Sequence, residues 1–145
     1  MNTIIRPAEP GDAAEIARLL TALGHPTAAD SITSRWDEWS GGANAALVAA
    51  RAGGGLAGVV TVHRMTVLHR PLPVGRITAL IVDASERGSG IGRALVHAAE
   101  RLLAEAGCGL LEITSNLRLT DAHAFYEHLG YERTSIRLVR TLPAD

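Results

Sequence analysis

A chain of 145 residues, 47% hydrophobic and 20% charged, is long enough to bury one ordinary globular core without disulfides or metals to staple it. Its formal net charge of -1, from 14 basic and 15 acidic residues, argues against a nucleic-acid binder whose affinity rests on phosphate neutralisation. Every basic residue is Arg, which excludes lysine nucleophiles and the P-loop lysine, and the single Cys108 excludes an internal disulfide or a multi-cysteine zinc site.

The N-terminus, Met1-Asn2-Thr3-Ile4-Ile5-Arg6-Pro7, has no basic region leading into an apolar core, so no signal peptide is expected. No apolar run approaches about 18 residues, so no membrane span is expected and the default location is the cytoplasm. Residues 3–6 read as a short β-branched strand stopped by Pro7. Asp12 is a good N-cap for a helix whose Ile16, Leu19, Leu20 and Leu23 keep helical spacing until Gly24. A weaker helix is expected over residues 30–39, with Ile32, Trp36 and Trp39 on one side, broken by Gly41-Gly42. Residues 46–51, 56–64 and 74–82 then read as strands, the first two joined by a tight hairpin at Gly53-Gly54-Gly55. Residues 66–73, with Pro71 and Pro73, read as a loop.

Beyond Val82 the pattern becomes strand, glycine loop, helix. Ile91, Leu95, Ala98, Leu102 and Leu103 form one apolar face, with Arg93, His97, Glu100 and Arg101 opposite, until Gly107. A strand over 110–115 follows, then a short helix marked by Ala122, Phe125, Tyr126 and Leu129 and closed by Gly130, then a final strand over 131–142. The order βααβββαβαβ predicts a single α/β domain over residues 1–145, with a mixed, mostly antiparallel twisted sheet and helices on both faces.

Arg87-Gly88-Ser89-Gly90-Ile91-Gly92 lies between a strand and the strongest helix. Glycines allow several backbone N–H groups to turn toward one anion, and the helix N-terminus adds roughly half a positive charge. The loop reads as a phosphate or pyrophosphate cradle. It is not a Rossmann fingerprint, because the spacing is Gly-x-Gly-x-Gly and the loop follows the fourth strand, and it lacks the Gly-Lys-Ser/Thr of a P-loop.

The stretch Val82-Asp83-x-x-x-Arg87-Gly88-x-Gly90-Ile91-Gly92-x-x-Leu95 resembles the acetyl-coenzyme A signature of the Gcn5-related N-acetyltransferases (GNAT). Asn116-x-Arg118-x-x-x-Ala122-His123-x-Phe125-Tyr126-x-x-x-Gly130-Tyr131 is similar to that family's second block. The resemblance implies acetyl-coenzyme A as cosubstrate and no metal. It implies that Arg87, Gly88, Ser89, Gly90, Ile91, Gly92 and Arg93 hold the pyrophosphate, that Leu80, Ile81 and Val82 pair with the pantetheine arm, and that Asn116 contacts the coenzyme. Tyr126 is implied both as a coenzyme neighbour and as general acid toward the departing thiolate. A phenol near about 10 and a thiol near about 8.5 are close enough in pKa for useful proton transfer.

The implied acceptor is the primary amine of a small molecule, attacking the thioester directly. The alternatives are a coenzyme-binding sensor module without turnover, or a peptide or protein N-terminal acetyltransferase. An amine of pKa near 10 is only about 0.1% free base at pH 7, so a proton acceptor is required. Many relatives place a Glu in the strand before the loop, whereas residues 76–82 hold no carboxylate. His63, Glu112, Asp83 and His123 are the stand-ins, and none is assigned. By the resemblance the second helix, with Trp36, Asp37, Glu38 and Trp39, lines the acceptor pocket and could grip a cation. Arg64, His69, Arg70 and Arg76, around the long loop, could instead receive an anion. Homodimer formation through edge strands or residues 131–142 is also an expectation of the resemblance.

Overall fold

The computed structural model describes residues 2–144. Its strands are β1 (Thr3–Pro7), β2 (Asn44–Arg51), β3 (Leu56–Met65), β4 (Val74–Val82) and β5 (Leu110–Ile113). Its helices are α1 (Ala13–Leu23), α2 (Ala29–Ser40), α3 (Ile91–Glu105) and α4 (Thr120–His128). Residues up to Ile113 form one compact unit and residues from Thr114 a second. Each is described by itself.

In the first unit the strands make one sheet in the order β1-β2-β3-β4-β5. The first four are antiparallel and β5 joins β4 in parallel, as a crossover through a helix requires. Two layers of helix cover it. Ile16 and Leu19 of α1 pack with Val48, Leu56, Val59 and Ile81 in one buried cluster, against which Ile32 and Trp36 of α2 also pack. The opposite face belongs to α3, whose Leu95, Val96, Ala99 and Leu103 are buried.

Glycine sets how closely α3 approaches. A Cβ on Gly58 would stand 2.8 Å from the Ile81 carbonyl oxygen and 2.9 Å from Leu95 Cδ1. The carbonyl belongs to the neighbouring strand and cannot turn aside, so overpacking here has no cheap relief. Gly58→Ala is expected to cost about 1–3 kcal/mol, the range for an added core methyl group. Urea unfolding monitored by circular dichroism checks this; a midpoint equal to wild type would show that α3 can ride outward.

Several predicted boundaries shift. Asp12 precedes α1 but does not cap it: its carboxylate accepts from the Glu9 amide at 2.8 Å and from both Arg6 Nη atoms at 2.8 and 2.9 Å. It thereby closes a 3-10 turn at Pro10–Asp12. The β2–β3 hairpin is as predicted, with Gly54 and Gly55 at φ of 102° and 81°. Past α3, Gly107 takes a left-handed φ of 89°, and the Cys108 amide donates back to Leu103 O. No helix among the described residues is long and apolar enough to cross a membrane.

The second unit contains α4 and an extended tail. The final strand expected over 131–142 is not formed: those residues pair with no strand among the described residues, and Ile136, Leu138 and Val139 are exposed. An alternating pattern makes a segment compatible with a strand, but the strand itself needs a neighbour's hydrogen-bond ladder. The interface role expected of that strand therefore has no strand to rest on.

Candidate active site

The site begins with an irregularity in β4. Thr61 of β3 faces Ala79 and the next residue, Val62, faces Ile77, so Thr78 is an extra residue bulged out of β4. A bulge bends its strand and increases its twist. The pairing of β4 with β5 runs from Val74↔Leu110 to Ile77↔Ile113 and stops there. From Thr78 to Val82, β4 keeps a hydrogen-bonded neighbour on its β3 side only, among the described residues. Leu80, Ile81 and Val82 thus leave a free edge of strand leading directly into the glycine loop.

The loop itself is built for an anion. Gly88 and Gly90 have φ of 80° and 89°, the region that side chains disfavour. Nothing lies within 4 Å of where their Cβ atoms would be. The first helical hydrogen bond of α3 runs from the Ala94 amide to Gly90 O at 3.0 Å. The amides of Ile91, Gly92 and Arg93 precede it and find no acceptor among the described residues. Ser89 Oγ donates to the Glu86 carbonyl, which fastens the loop's shoulder. The Arg87 guanidinium is exposed, and among the described residues Arg93 reaches only His97 Nε2, at 3.4 Å. These groups fit a pyrophosphate.

Beneath the loop lies a charge network that the sequence did not reveal. Arg51, the last residue of β2, donates from Nη2 to Asp83 Oδ2 at 2.8 Å, from Nε to Glu86 Oε1 at 3.3 Å and from Nη1 to Leu56 O at 3.0 Å. Arg18 of α1 joins Glu15 at 2.8 Å and Asp83 at 3.5 Å. Glu15 in turn accepts from the Leu56 amide at 2.9 Å. Glu86 is buried at 7% exposure, and its Oε2 has no partner among the described residues. The loop is thereby tied to α1 and to the β2–β3 hairpin.

The arginines hold these carboxylates below their ordinary values: Asp83 chiefly by the hydrogen bond from Arg51, Glu15 by that from Arg18, and Asp12 by that from Arg6. A depressed folded-state pKa means that the unfolded chain binds more protons than the native one. The stabilisation is then complete above the unfolded carboxylate range, about 4, and is lost as pH falls through the lower folded values. Urea midpoints at pH 7, 5 and 3 should fall mainly over the last interval. Asp83→Asn should lower the pH 7 midpoint and flatten that fall; an unchanged profile would show Asp83 uninvolved.

On the α2 side of the sheet is a cleft of about 530 Å³, lined by Trp36, Glu38, Trp39, Asn44, Thr61 and Ala79 among others. The two indoles lie 5.8 Å apart at 46° and are half-buried, while Asp37 is exposed. The arginines expected to cluster do not converge. Arg64 donates to Ala106 O, at the end of α3, and Arg76 is paired with Glu112 (Nε to Oε1, 2.7 Å). His69 and Arg70 lie in an exposed turn.

The second unit, from Thr114, holds Asn116 and Tyr126. Asn116 Oδ1 accepts from the Arg118 amide at 3.0 Å and from its Nε at 3.2 Å, which leaves Nδ2 as the donor available to a ligand. His123 Nε2 is 2.9 Å from Asn116 O. Tyr126 is half-buried between Phe125 and Tyr131, with ring centroids at 5.3 and 6.1 Å in edge-to-face geometry. Burial pushes its phenol above the ordinary tyrosine value.

Residues 13–131 match a family model described as the acetyltransferase (GNAT) family. The chain is 32% identical over 144 residues to the aminoglycoside N(6')-acetyltransferase type 1 of Stenotrophomonas maltophilia, which takes in 97% of this chain and 94% of that protein. It is 34% identical over 89 residues to the aminoalkylphosphonate N-acetyltransferase of Salmonella typhimurium, in a match that takes in 61% of this chain and 58% of that protein. Among solved structures, one described as a transcriptional regulator from Bacillus halodurans is similar with a TM-score of 0.87 at 25% identity, over 97% of this chain and all of the other (100%).

Proposed function

We propose that this chain, which belongs to the acetyltransferase (GNAT) family, transfers the acetyl group of acetyl-coenzyme A to the primary amine of a small polar molecule, working as one domain. The observation that carries this reading is the free edge of β4 running into a left-handed glycine loop, followed by the Ile91, Gly92 and Arg93 amides, which have no acceptor among the described residues. An extended amide-bearing arm adds to such an edge as a strand would. Leu80, Ile81 and Val82 would take the pantetheine. Arg87, Gly88, Ser89, Gly90, Ile91, Gly92 and Arg93 would take the pyrophosphate. Asn116 would donate to the coenzyme from Nδ2.

The cleft beside Thr61 and Ala79 supports a small acceptor. Trp36 and Trp39 offer aromatic faces to an ammonium group and Glu38 a counter-charge. The two curated relatives are named for amines on small polar molecules, which supports the same class. Tyr126 supplies the proton to the departing sulfur. Its burial suits that role, since a phenol with a raised pKa keeps its proton until a thiolate forms.

The test mixes the protein with acetyl-coenzyme A and a panel of amines and follows free thiol release. Amine-dependent release, with a rise in melting temperature on adding coenzyme A, supports the reading. Stabilisation by the coenzyme without transfer to any acceptor would mark a coenzyme-binding module instead, and neither effect would overturn both.

A further inference from the structure

We infer that His63 is the proton acceptor of this reaction, and that Asn44 sets it in the reactive tautomer. The inference rests on the acetyltransferase reading above and supplies the base that β4, with no carboxylate over residues 76–82, lacks.

The argument begins with Asn44. Its Nδ2 lies 3.0 Å from the Trp39 carbonyl oxygen. A carbonyl only accepts, so the amide must present its NH2 group there and its oxygen to the other side. That oxygen lies 2.8 Å from His63 Nδ1, and it too only accepts. The proton of a neutral imidazole therefore sits on Nδ1, and the lone pair is left on Nε2. No other group among the described residues bonds to the His63 ring. One end-of-helix carbonyl thus fixes an amide, and the amide fixes a tautomer.

Position supports the role. Asn44, His63, Arg76 and Glu112 are successive cross-strand partners on β2, β3, β4 and β5. Arg76 and Glu112 pair with each other, and Asn44 with His63, so the row is two hydrogen-bonded couples side by side. It lies one residue before β4 parts from β5. Thr61, two residues from His63 on the same face, lines the cleft, as does Asn44 itself. Two residues along a strand span about 7 Å, a separation that hydrogen-bonded water crosses.

Direction along β4 agrees. A pyrophosphate held after Val82 sends an extended arm back toward Thr78, so its reactive end meets the cleft where Thr61 and Ala79 face each other. The carboxylates among the other stand-ins are occupied. Glu112 is held by Arg76 and Asp83 by Arg51 and Arg18, and His123 belongs to the second unit.

The step balances as follows. His63 Nε2 takes a proton from the acceptor ammonium, directly or through one water. The amine nitrogen forms the new bond to the thioester carbonyl carbon, and the carbon–sulfur bond breaks. The sulfur leaves as thiol with the proton from Tyr126, and the second proton of the nitrogen returns to the phenolate. His63 then releases its proton to solvent.

The test uses the full chain and a series of primary amines whose pKa values run from near 10 down to values below the assay pH. A base is needed only when the amine arrives protonated. His63→Gln should therefore lower kcat by about 10²-fold for the most basic amines, with a loss that shrinks toward none for amines already neutral. The melting rise on adding coenzyme A should be unchanged. Asn44→Ala should show the same dependence on acceptor pKa more weakly, and Asn44→Asp, which keeps an oxygen for Nδ1–H, should regain part of it. An equal loss across the series, or no loss, would overturn the assignment while leaving the acetyltransferase reading intact. Absence of any transfer by the wild-type protein would remove both.

Discussion

Replacing Tyr126 by Phe should lower kcat about 10²-fold on any amine that the wild-type protein acetylates, with the KM for acetyl-coenzyme A unchanged, because a positioned acid contributes 10²–10⁴-fold or so to such a step. The substitution removes one oxygen and keeps the ring. The edge-to-face packing of residue 126 on Phe125 and Tyr131 is therefore retained, and with it the local order of α4. A fall in kcat alone, with the thermal midpoint in place, separates proton donation from packing. An unchanged kcat would strip Tyr126 of the acid role and leave it an ordinary half-buried aromatic.

Arg51→Met should lose about 3 kcal/mol of stability at pH 7, the scale on which removing one partner strands a buried charge. The Glu86 carboxylate loses its one partner among the described residues and is almost fully enclosed. Asp83 keeps the Ser85 amide and the longer contact to Arg18. Glu86 stands immediately before the glycine loop, so the melting rise produced by coenzyme A should shrink as well. A second substitution, Glu86→Leu in the Arg51→Met background, removes the stranded charge and should recover part of the stability, a coupling that a double-mutant cycle measures. Strict additivity of the two changes would show that Arg51 and Glu86 do not act as a pair.

What was legible in the sequence is what depends on local pattern. The apolar face of α3 with Gly107 after it, the hairpin at Gly53-Gly54-Gly55 and the glycine loop each announce themselves within a dozen residues, and all three stand where predicted. The loop was readable because its requirement, left-handed backbone at Gly88 and Gly90, falls on the one residue type that meets it freely.

What was not legible depends on register and on distance along the chain. Arg51 and Glu86 are 35 residues apart, and no spacing rule connects them. His63 was visible as a histidine near a strand end, but its partner Asn44 reads as an ordinary loop residue until β2 and β3 are aligned. The bulge at Thr78 is likewise a property of two strands together and leaves no mark on either alone. The tail misled in the opposite sense: residues 131–142 read as a strand, yet a strand is completed by a neighbour rather than by its own sequence.

The half-bare stretch of β4 also bears on how the protein fares before it meets its cosubstrate. Strand edges recruit other strands, and proteins guard them with bulges and charge. Here the guard is slight: a bulge at Thr78, with apolar Leu80, Ile81 and Val82 beyond it. A ligand that lies along this edge acts as a removable sixth strand, and it shifts the population away from partly open forms by mass action. The cellular lifetime of the protein, and its tendency to aggregate when overproduced, would then follow the supply of coenzyme A.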